Sequence, residues 1–583
     1  MADIDASQVS YLSNATGAAR RTLQAKLSDG LNVMDFGAVG DGTTDDSVAF
    51  QAADMAAAAA GVPPQVSRQH LIGANYSAQS ILQWAGGRLK PAAGVTLTLN
   101  GLIAPAVQVF DITASGNIVF SGANVQAVAF AEWWGAVANS AMAADFNVIS
   151  INAAILSHQH VRLLSADYWI SDTILHHTGG HILEGSGCQY VDASGQATRI
   201  ILNNGASTIV QVGAQIFPGS INSMPRGIEL RNVYCGRTVA PIISENTDGI
   251  RLQYALFAKI SGVKSIDSTN SFRVVGCCAC EISDSYANRV TPGSGSGLDS
   301  WNGFLIDGSY NIGAAGGNAS IYIYRNHADC NIPSLTTGLS RGFYLHMGNY
   351  GCQDTFLDDN ETAQCYLGTV IADGTGGNAD IRIRGQTDDQ NGFIGLLISG
   401  LSTQGTVSIE DYYASTSNGG ISAISILNSS GSVSINGGQL LMNGSHGVSP
   451  IRVTSSSCVD IDGMIIREMY EGPDFTDISN CRIRLTVKNT QFTTTAAAIT
   501  LLGQCFSNVL APVCCGNSGA FGAGIRVVGS DDNRNTYDVG GIDSASLSPG
   551  YSAKLVRDNS LVITSSNMAP QYVGTNLLTG CTG

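Results

Sequence analysis

A strand-sized motif recurs at a constant spacing of 26 residues in the last third of this chain. Its copies read IRIRG, VSIED, VSING, VDIDG and LTVKN, and they begin at Ile381, Val407, Val433, Val459 and Leu485. The first and third positions are aliphatic in every copy, whereas the position between them is polar. Because side chains alternate between the two faces of a strand, the motif indicates a half-buried strand that is repeated at a fixed period.

A fixed period of this length predicts a solenoid, in which each repeat buries its apolar face against the next. Strands this short, with further strands between them, fit one coil of a parallel β-helix. A β-propeller is the alternative, but its blades need roughly 40–45 residues. Short apolar strands separated by Gly, Asn, Asp and Ser extend back to about residue 225. We therefore predict an all-β solenoid whose five repeated aliphatic positions lie above one another.

Composition supports this fold and excludes several functions. Charged residues make up only 13% of the 583 residues, and the 69 glycines suit many tight turns between short strands. The formal net charge of −16 argues against nucleic acid or an anionic membrane as the main partner. No apolar segment is long enough for membrane insertion, and MADIDASQ lacks the layout of a signal peptide. We expect synthesis in a cytosol.

The cysteines predict no metal site. All 14 follow residue 187, and none of their spacings matches a paired zinc motif. The densest cluster, Cys277, Cys278 and Cys280, has no nearby CxxC or HxxxH to complete it. We interpret the cysteines as small buried hydrophobic residues and expect neither a metal nor a cofactor. Disulfides late in the chain stay open if the protein works outside a cell.

Four segments follow from the distribution of these patterns. Residues 1–30 form a polar attachment segment with weak helical character, and residues 31–130 hold a strand, a glycine-rich turn, an Ala-rich helix capped by Asp45 and a small β-domain. Residues 131–492 open with a degenerate copy of that strand–turn–helix unit and continue as the main solenoid. Residues 493–583 lose the repeat and then regain short strands, as expected of a trimerisation or terminal receptor-binding region. We thus expect a small N-terminal α/β cap region.

The string DFGAVGDGTTDDSVAFQAA at 35–53 resembles the opening signature of the pectate-lyase-like right-handed parallel β-helix superfamily, which contains polygalacturonase-type hydrolases and bacteriophage tailspikes. GAARRTLQAKLSDGLNV at 17–33, and EWWGA at 132–136, are similar more specifically to the tailspikes. The resemblance implies a right-handed β-helix and a homotrimer located in the virion. It also implies an N-terminus held by a phage tail or baseplate protein, and binding and often cleavage of a host surface polysaccharide. We interpret the aspartates of the signature as turn and capping residues.

Glycoside cleavage usually needs two carboxylates, about 5–5.5 Å apart for retention and roughly 6.5–9.5 Å apart for inversion. The 26-residue register predicts an outward column of Arg384, Glu410, Asn436, Asp462 and Lys488, with Asp358 one coil before Arg384. Asp358 and Glu410 would then lie two strand spacings apart, about 9.6 Å. The guanidinium between them favours charged carboxylates, which suits a base better than an acid.

We therefore predict the catalytic residues Asp358, Glu410 and Asp388. Residues 342–368 and 388–413 are dense in aromatic and acidic side chains, which stack on sugar rings and bond their hydroxyls. From these stretches we predict a substrate-binding groove formed by His346, Glu361, Tyr366, Arg384, Tyr412 and Tyr413. Asp359 and Asp411 form the next column, at turn positions that glycine fills in the other copies.

Three functions stay open. The first is a depolymerising hydrolase, an endoglycosidase acting on capsule or O-antigen; the second is a receptor-binding spike without catalysis. The third is a polysaccharide lyase, with Arg325 and His327 or Arg341 and His346 as cation and base, or a deacetylase built from Ser, His and Asp of separate coils. The acidic surface would repel a polyuronate, and GxSxG does not occur at a strand-to-helix turn. We rank hydrolysis first.

Overall fold

The computed structural model describes the chain with gaps. The described residues are 9–11, 21–22, 30–188, 197–242, 247–293, 300–312, 317–330, 340–372, 374, 379–416, 422–442, 449–469, 471–488, 497–515, 523–528, 535–537, 553–557, 561–564 and 571–573. The chain divides into two compact units, residues 1–186 with 190–199 and residues 187–189 with 200–583. No helix in these ranges is both long enough and apolar enough to cross a membrane.

The first unit carries the helices that the opening signature predicts. They are the α-helices Ser47–Ala60 and Ala144–Ser157 and the 3-10 helices Val33–Phe36, Ala131–Trp134 and Ala141–Ala143. Its strands are Leu31–Asn32, Asp41–Asp45, Pro64–Val66, Gln69–Ile72, Tyr76–Ser77, Leu82–Trp84, Arg88–Pro91, Thr96–Leu99, Leu102–Ile103, Asn117–Phe120, Ala129–Phe130, His160–Arg162, Asp167–Ile170, Ile174–His176 and Ile182–Glu184. Near the N-terminus, Ser10–Tyr11 and Arg21–Thr22 pair antiparallel, so residues 21–22 are extended where weak helical character was predicted. The other residues of that helical stretch lie outside the described residues.

The aspartates of the signature bind backbone groups of the turn and of the first helix. Asp41 Oδ1 accepts from the Thr43 and Thr44 amides at 2.7 Å, and Asp46 accepts from the Val39 amide at 2.7 Å. Asp46 occupies the N-cap position that was predicted for Asp45, and Asp45 Oδ1 instead accepts from the Ser47 amide at 3.0 Å. These contacts assign the aspartates to turn formation and capping.

The second unit is the predicted parallel β-helix, whose coils contribute strands to three faces. Face 1 contains Glu229–Arg231, Lys259–Ser261, Cys278–Ser283, Asn318–Tyr324, Cys352–Asp358, Ala379–Arg384, Thr406–Glu410 and Ser432–Asn436. Face 2 contains Tyr234–Arg237, Lys264–Ile266, Tyr286–Arg289, His327–Cys330, Glu361–Ala363, Thr387–Asn391, Tyr413–Thr416 and Gln439–Leu441. Two longer strands, Val459–Arg467 and Arg482–Lys488, run from face 1 into face 2.

Face 3 completes each coil. It contains Val210–Val212, Asp248–Gln253, Asn270–Val275, Trp301–Asp307, Ser340–His346, Leu367–Ala372, Ile394–Ser399, Ser422–Leu427, Ile451–Thr454, Asp474–Thr476, Ala497–Leu502 and Ala523–Val528. The remaining described elements are Arg199–Leu202, Ile221–Ser223 (3-10), Val509–Leu510, Val513–Cys515, Thr536–Tyr537, Ala553–Arg557, Leu561–Thr564 and Gln571–Val573. The last three of these strands pair antiparallel, unlike the coils before them.

The aliphatic column stacks as predicted over four of its five members. Ile381 pairs with Val407, Val407 with Val433, and Val433 with Val459, and all four are at most 2% exposed. The prediction for Leu485 is wrong, because a bulge at Gly463 lets Leu485 pair with Met464.

The same bulge breaks the outward register. Asp460 pairs with Arg482, only 22 residues later, so that coil is shorter than the repeat. Lys488 therefore pairs with Arg467, and Arg484 takes the place opposite Asp462 that was predicted for Lys488.

The corner between face 1 and face 2 turns on one left-handed residue per coil. Asp359, Gly385, Asp411 and Gly437 all have φ between +52° and +73°, and each amide donates to the carbonyl of the next coil. The residue after this position points inward; there, Asn360 Oδ1 accepts from the amide of Asn326 at 3.0 Å. Glycine and aspartate suit the left-handed position, so the turn role predicted for Asp359 and Asp411 is confirmed.

Candidate functional site

Face 1 carries the predicted column of charged side chains, which we call the carboxylate column. It comprises Asp358, Arg384, Glu410, Asn436 and Asp462, each in register with the next. Parallel pairing without a slip between these coils explains why the fixed 26-residue period located the column correctly. The stacking that the sequence predicts is therefore confirmed as far as Asp462.

The two candidate catalytic carboxylates differ in their contacts. Arg384 Nη2 donates to Asp358 Oδ2 at 2.9 Å, and the side chains are 60% and 34% exposed. Glu410 is exposed and has no hydrogen bond or ion pair with any described residue. One carboxylate is thus held by a cation, while the other is available to a ligand.

An aromatic strip lies beside the carboxylate column on the same face. Tyr322 and Phe356 stack with their ring centroids 4.9 Å apart and their planes 5° from parallel. The Arg382 guanidinium lies over Phe356, 5.2 Å from its centroid. Tyr322 is 42% exposed, so its ring is available to an apolar sugar face. We call Tyr322, Phe356 and Arg382 the aromatic strip; sequence reasoning missed its two rings.

Further charged contacts border the strip on its N-terminal side. Arg325 binds Asp284 through two bonds of 2.7 and 2.8 Å and lies 4.6 Å from the Tyr324 ring centroid. The hydrogen bond from Arg325 lowers the pKa of Asp284. Tyr324 also donates to Glu281. This Arg325–Asp284 pair leaves the cation that a lyase would need already neutralised.

Glu361 and Tyr413 lie on face 2, across the corner from the carboxylate column. Both belong to one outward column, with Thr387 between them. Glu361 Oε2 lies 3.2 Å from His327 Nδ1, and the His327 ring stacks on Tyr286 at 4.9 Å. These residues can contact a ligand that extends around the corner, but not one confined to face 1.

His346 and Tyr366 are not brought together with the carboxylate column. His346 ends a face 3 strand, and its Nδ1 lies 3.2 Å from both Asp307 Oδ1 and Ser309 Oγ. A Ser–His–Asp relay needs the two partners on different ring nitrogens, so this cluster is not such a relay. Tyr366 precedes another face 3 strand and stacks on Phe393 at 4.6 Å. The prediction that these two residues share one groove with Asp358 is wrong.

Asp307 nonetheless forms a firm electrostatic anchor on face 3. Burial would raise its pKa, but the hydrogen bond with His346 and the charge of Arg273 outweigh that effect and hold the pKa well below the usual range. Arg273 Nη2 donates to Asp307 Oδ2 at 2.6 Å.

Asp388 and Tyr412 are inside the solenoid, where a polysaccharide cannot reach them. Both are 0% exposed, and the Tyr412 hydroxyl donates to Asp388 Oδ2 at 2.7 Å. Asp388 Oδ1 accepts from Thr362 Oγ1 at 2.7 Å and from Gln386 Nε2 at 3.2 Å. Burial raises the pKa of Asp388 to about 6. The predicted catalytic and binding roles of these two residues are therefore wrong, because neither side chain faces the surface.

The exposed residues of face 1 thus define the candidate site: the carboxylate column from Asp358 to Glu410 and the aromatic strip beside it. Carboxylates separated by a guanidinium can bind hydroxyls and exchange protons, and the rings supply an apolar platform. Among the described residues, no group of three or more His, Cys, Asp and Glu side chains is arranged to hold a metal ion.

The stacked coils and outward columns define a parallel β-helix protein. Known structures with a similar course include a double mutant of the tailspike protein of E. coli bacteriophage HK620, at 11% identity over 95% of this chain and 82% of that one, with a TM-score of 0.40. The A-module of the Azotobacter vinelandii mannuronan C-5 epimerase AlgE6 matches at 15% identity, 90% and 97% coverage and a TM-score of 0.33. The DFA-IIIase of Arthrobacter chlorophenolicus A6 matches at 12% identity, 73% and 96% coverage and a TM-score of 0.39. No model of a protein family and no curated protein matches the chain.

Proposed function

We propose that this chain is a phage tailspike that binds a host cell-surface polysaccharide, capsule or O-antigen, and depolymerises it by glycoside hydrolysis during adsorption. The observation that carries the proposal is the juxtaposition on face 1 of two exposed carboxylates, Asp358 and Glu410, with an aromatic strip one column away. Opposed carboxylates and ring platforms are the two requirements of a site that cleaves a sugar chain.

The contacts favour different roles for the two carboxylates. Asp358, held by Arg384, is stabilised as the charged form and acts as the base that activates water. Glu410 has no such partner among the described residues and acts as the acid that protonates the leaving oxygen. Their strands lie two spacings apart, about 9.6 Å, which is at the upper end of the range for inverting enzymes. Tyr322 and Phe356 stack on sugar rings, while Arg382 bonds ring substituents.

Purified host polysaccharide tests the proposal directly. The intact chain should release new reducing ends, whereas an unsaturated product that absorbs in the ultraviolet would indicate a lyase. Asp358→Asn and Glu410→Gln should each lower the rate by roughly 10²–10⁴-fold, the usual contribution of a general acid or base. Asp380→Asn is the matched control, because Asp380 is also an outward face 1 aspartate and contacts Arg382 at 3.5 Å. Full activity in both catalytic variants would overturn the site.

A receptor-binding spike without catalysis is the second candidate. The aromatic strip favours it, because stacking on sugar rings requires neither Asp358 nor Glu410. In that case Tyr322→Ala should weaken polysaccharide binding, and no variant or wild-type sample should release reducing ends. The homotrimer, the attachment of residues 1–30 to the phage tail or baseplate, and the location in the virion are parts of the same proposal. Sedimentation and immunogold labelling of virions test them.

A further inference from the structure

A cavity of about 290 Å³ lies where the corner between face 1 and face 2 changes shape. It is lined by Asp462, Gly463, Arg484, Leu485, Thr486, Ala511, Pro512 and Val513. None of these residues belongs to the candidate catalytic site. A volume at the low end of ligand pockets is suited to one small ring rather than to an extended chain.

The cavity results from the bulge that shortens the coil. Strands Val459–Arg467 and Arg482–Lys488 pass through the corner without the usual break, and Gly463 bulges between them. On the following coil, Ala511 and Pro512 separate the short strands Val509–Leu510 and Val513–Cys515. Since Gly463 has no side chain and a Cβ there would meet nothing closer than 3.7 Å, the notch stays open.

The lining combines hydrogen-bonding groups with an apolar wall. Arg484 Nη2 contacts Asp462 Oδ2 at 3.3 Å, which leaves most of the guanidinium N–H groups available. Thr486 adds a hydroxyl, while Leu485, Pro512 and Val513 supply aliphatic surface. Arg482 also lies 3.5 Å from Asp462, so the carboxylate is balanced by two cations. Donors beside an aliphatic wall match an acetamido group, whose carbonyl accepts hydrogen bonds and whose methyl packs.

We propose that this cavity binds one N-acetylated sugar residue of the polysaccharide, as a distal subsite of the site on face 1. The inference rests on the proposed function. Asp462 follows Glu410 in the carboxylate column by two coils, through Asn436, so the cavity begins about 9.6 Å along the solenoid axis from the proposed acid. A sugar chain that runs along this column from Glu410 reaches the cavity within a short oligosaccharide.

Ligand-observed NMR on the full chain tests the binding chemistry. The probes are the methyl glycosides of N-acetylglucosamine and N-acetylgalactosamine, with methyl glucoside and methyl galactoside as counterparts that lack the acetamido group. We expect saturation transfer to the acetyl methyl of at least one probe, with a dissociation constant of about 1 mM, and no transfer to the counterparts. Absence of transfer to both acetylated probes overturns the inference.

Two variants localise that binding. Val513→Phe fills the cavity, and Thr486→Val removes one hydroxyl at nearly unchanged volume. Val509→Phe is the matched control, since Val509 and Val513 are 40% and 43% exposed and only Val513 lines the cavity. Val513→Phe should weaken probe binding by about tenfold and Thr486→Val by severalfold, while Val509→Phe should leave it unchanged. Equal effects of the two phenylalanine variants overturn the inference.

Products of polysaccharide digestion separate this inference from the proposed function. A lost distal subsite should shift the product lengths of Val513→Phe relative to Val509→Phe, with the cleavage of the bond itself retained. If wild type neither cleaves nor binds the polysaccharide, the proposed function fails. If wild type cleaves it and both variants give the wild-type product lengths, only the distal subsite fails.

Discussion

Replacement of Asp388 by asparagine should change how stability depends on pH. The carboxylate lies in the interior of the solenoid, 0% exposed, and accepts hydrogen bonds from Tyr412, Thr362, Thr369 and Gln386. Burial raises its pKa from 3.8 to about 6 in spite of these donors. An asparagine has almost the same shape, keeps one carbonyl oxygen for the Thr and Gln donors, and can donate to the Tyr412 oxygen.

The sign follows from the raised pKa. The folded state binds the Asp388 proton more tightly than the unfolded state, so the linked stability is present below pH 3.8 and is lost as the pH rises to about 6. A shift of this size corresponds to about 3 kcal/mol. Asp388→Asn has no proton to lose, so its stability relative to wild type should rise by about 3 kcal/mol between pH 4 and pH 7.

Thermal unfolding of both proteins at pH 4 and pH 7, at one heating rate, measures this difference. For a chain of this length, 3 kcal/mol corresponds to about 2–3 °C in Tm, because the entropy of unfolding is about 2 cal/mol/K per residue. Asp389→Asn is the control, since Asp389 follows on the same strand and is only partly buried. A difference between Asp388→Asn and wild type that is the same at both pH values would refute the reasoning.

Three further perturbations test the corner and the core. Gly385→Ala should cost about 1 kcal/mol or more by chemical denaturation, because φ is +61° and the new Cβ would lie 2.4 Å from an Asp359 oxygen. Asn360→Ala should cost about 2–3 kcal/mol in the same assay, since it leaves buried groups of the ladder unpaired, whereas exposed Asn436→Ala should cost almost nothing. An alkylating reagent should modify exposed Cys458 in the native protein but Cys365, whose thiol pKa burial raises, only after unfolding; mass spectrometry reads both.

The repeat predicts the fold and most of the carboxylate column because parallel strands stack without slipping while each coil keeps the same length. It fails at Leu485 and Lys488 because the coil there is four residues shorter, with Asp460 opposite Arg482. The glycine at 463 followed by the alternating Met464 and Ile466 is the signal of that change. The aromatic strip was missed for the related reason that Tyr322 precedes Phe356 by 34 residues, so a fixed period does not connect them.

The errors at Asp388 and Tyr412 arose from reading polarity instead of position. Asp388 lies between Thr362 and Ala414 in an inward column, and the 26-residue register already places it there. Tyr412 follows a left-handed turn residue, where the chain points inward in every coil nearby. His346 was misassigned because neighbours in sequence were taken as neighbours in space. One coil passes around three faces, so a few residues separate different surfaces.

The wall of face 1 is a single strand thick, and adjacent positions along it answer to different demands. Ile383 and Ile409 fill the interior, while Arg384 and Glu410, the very next residues, meet the solvent. Exchanging the outer set leaves the inner set and its packing untouched. Such a chain can acquire a new recognition surface by point mutation, coil by coil, at almost no expense in folding.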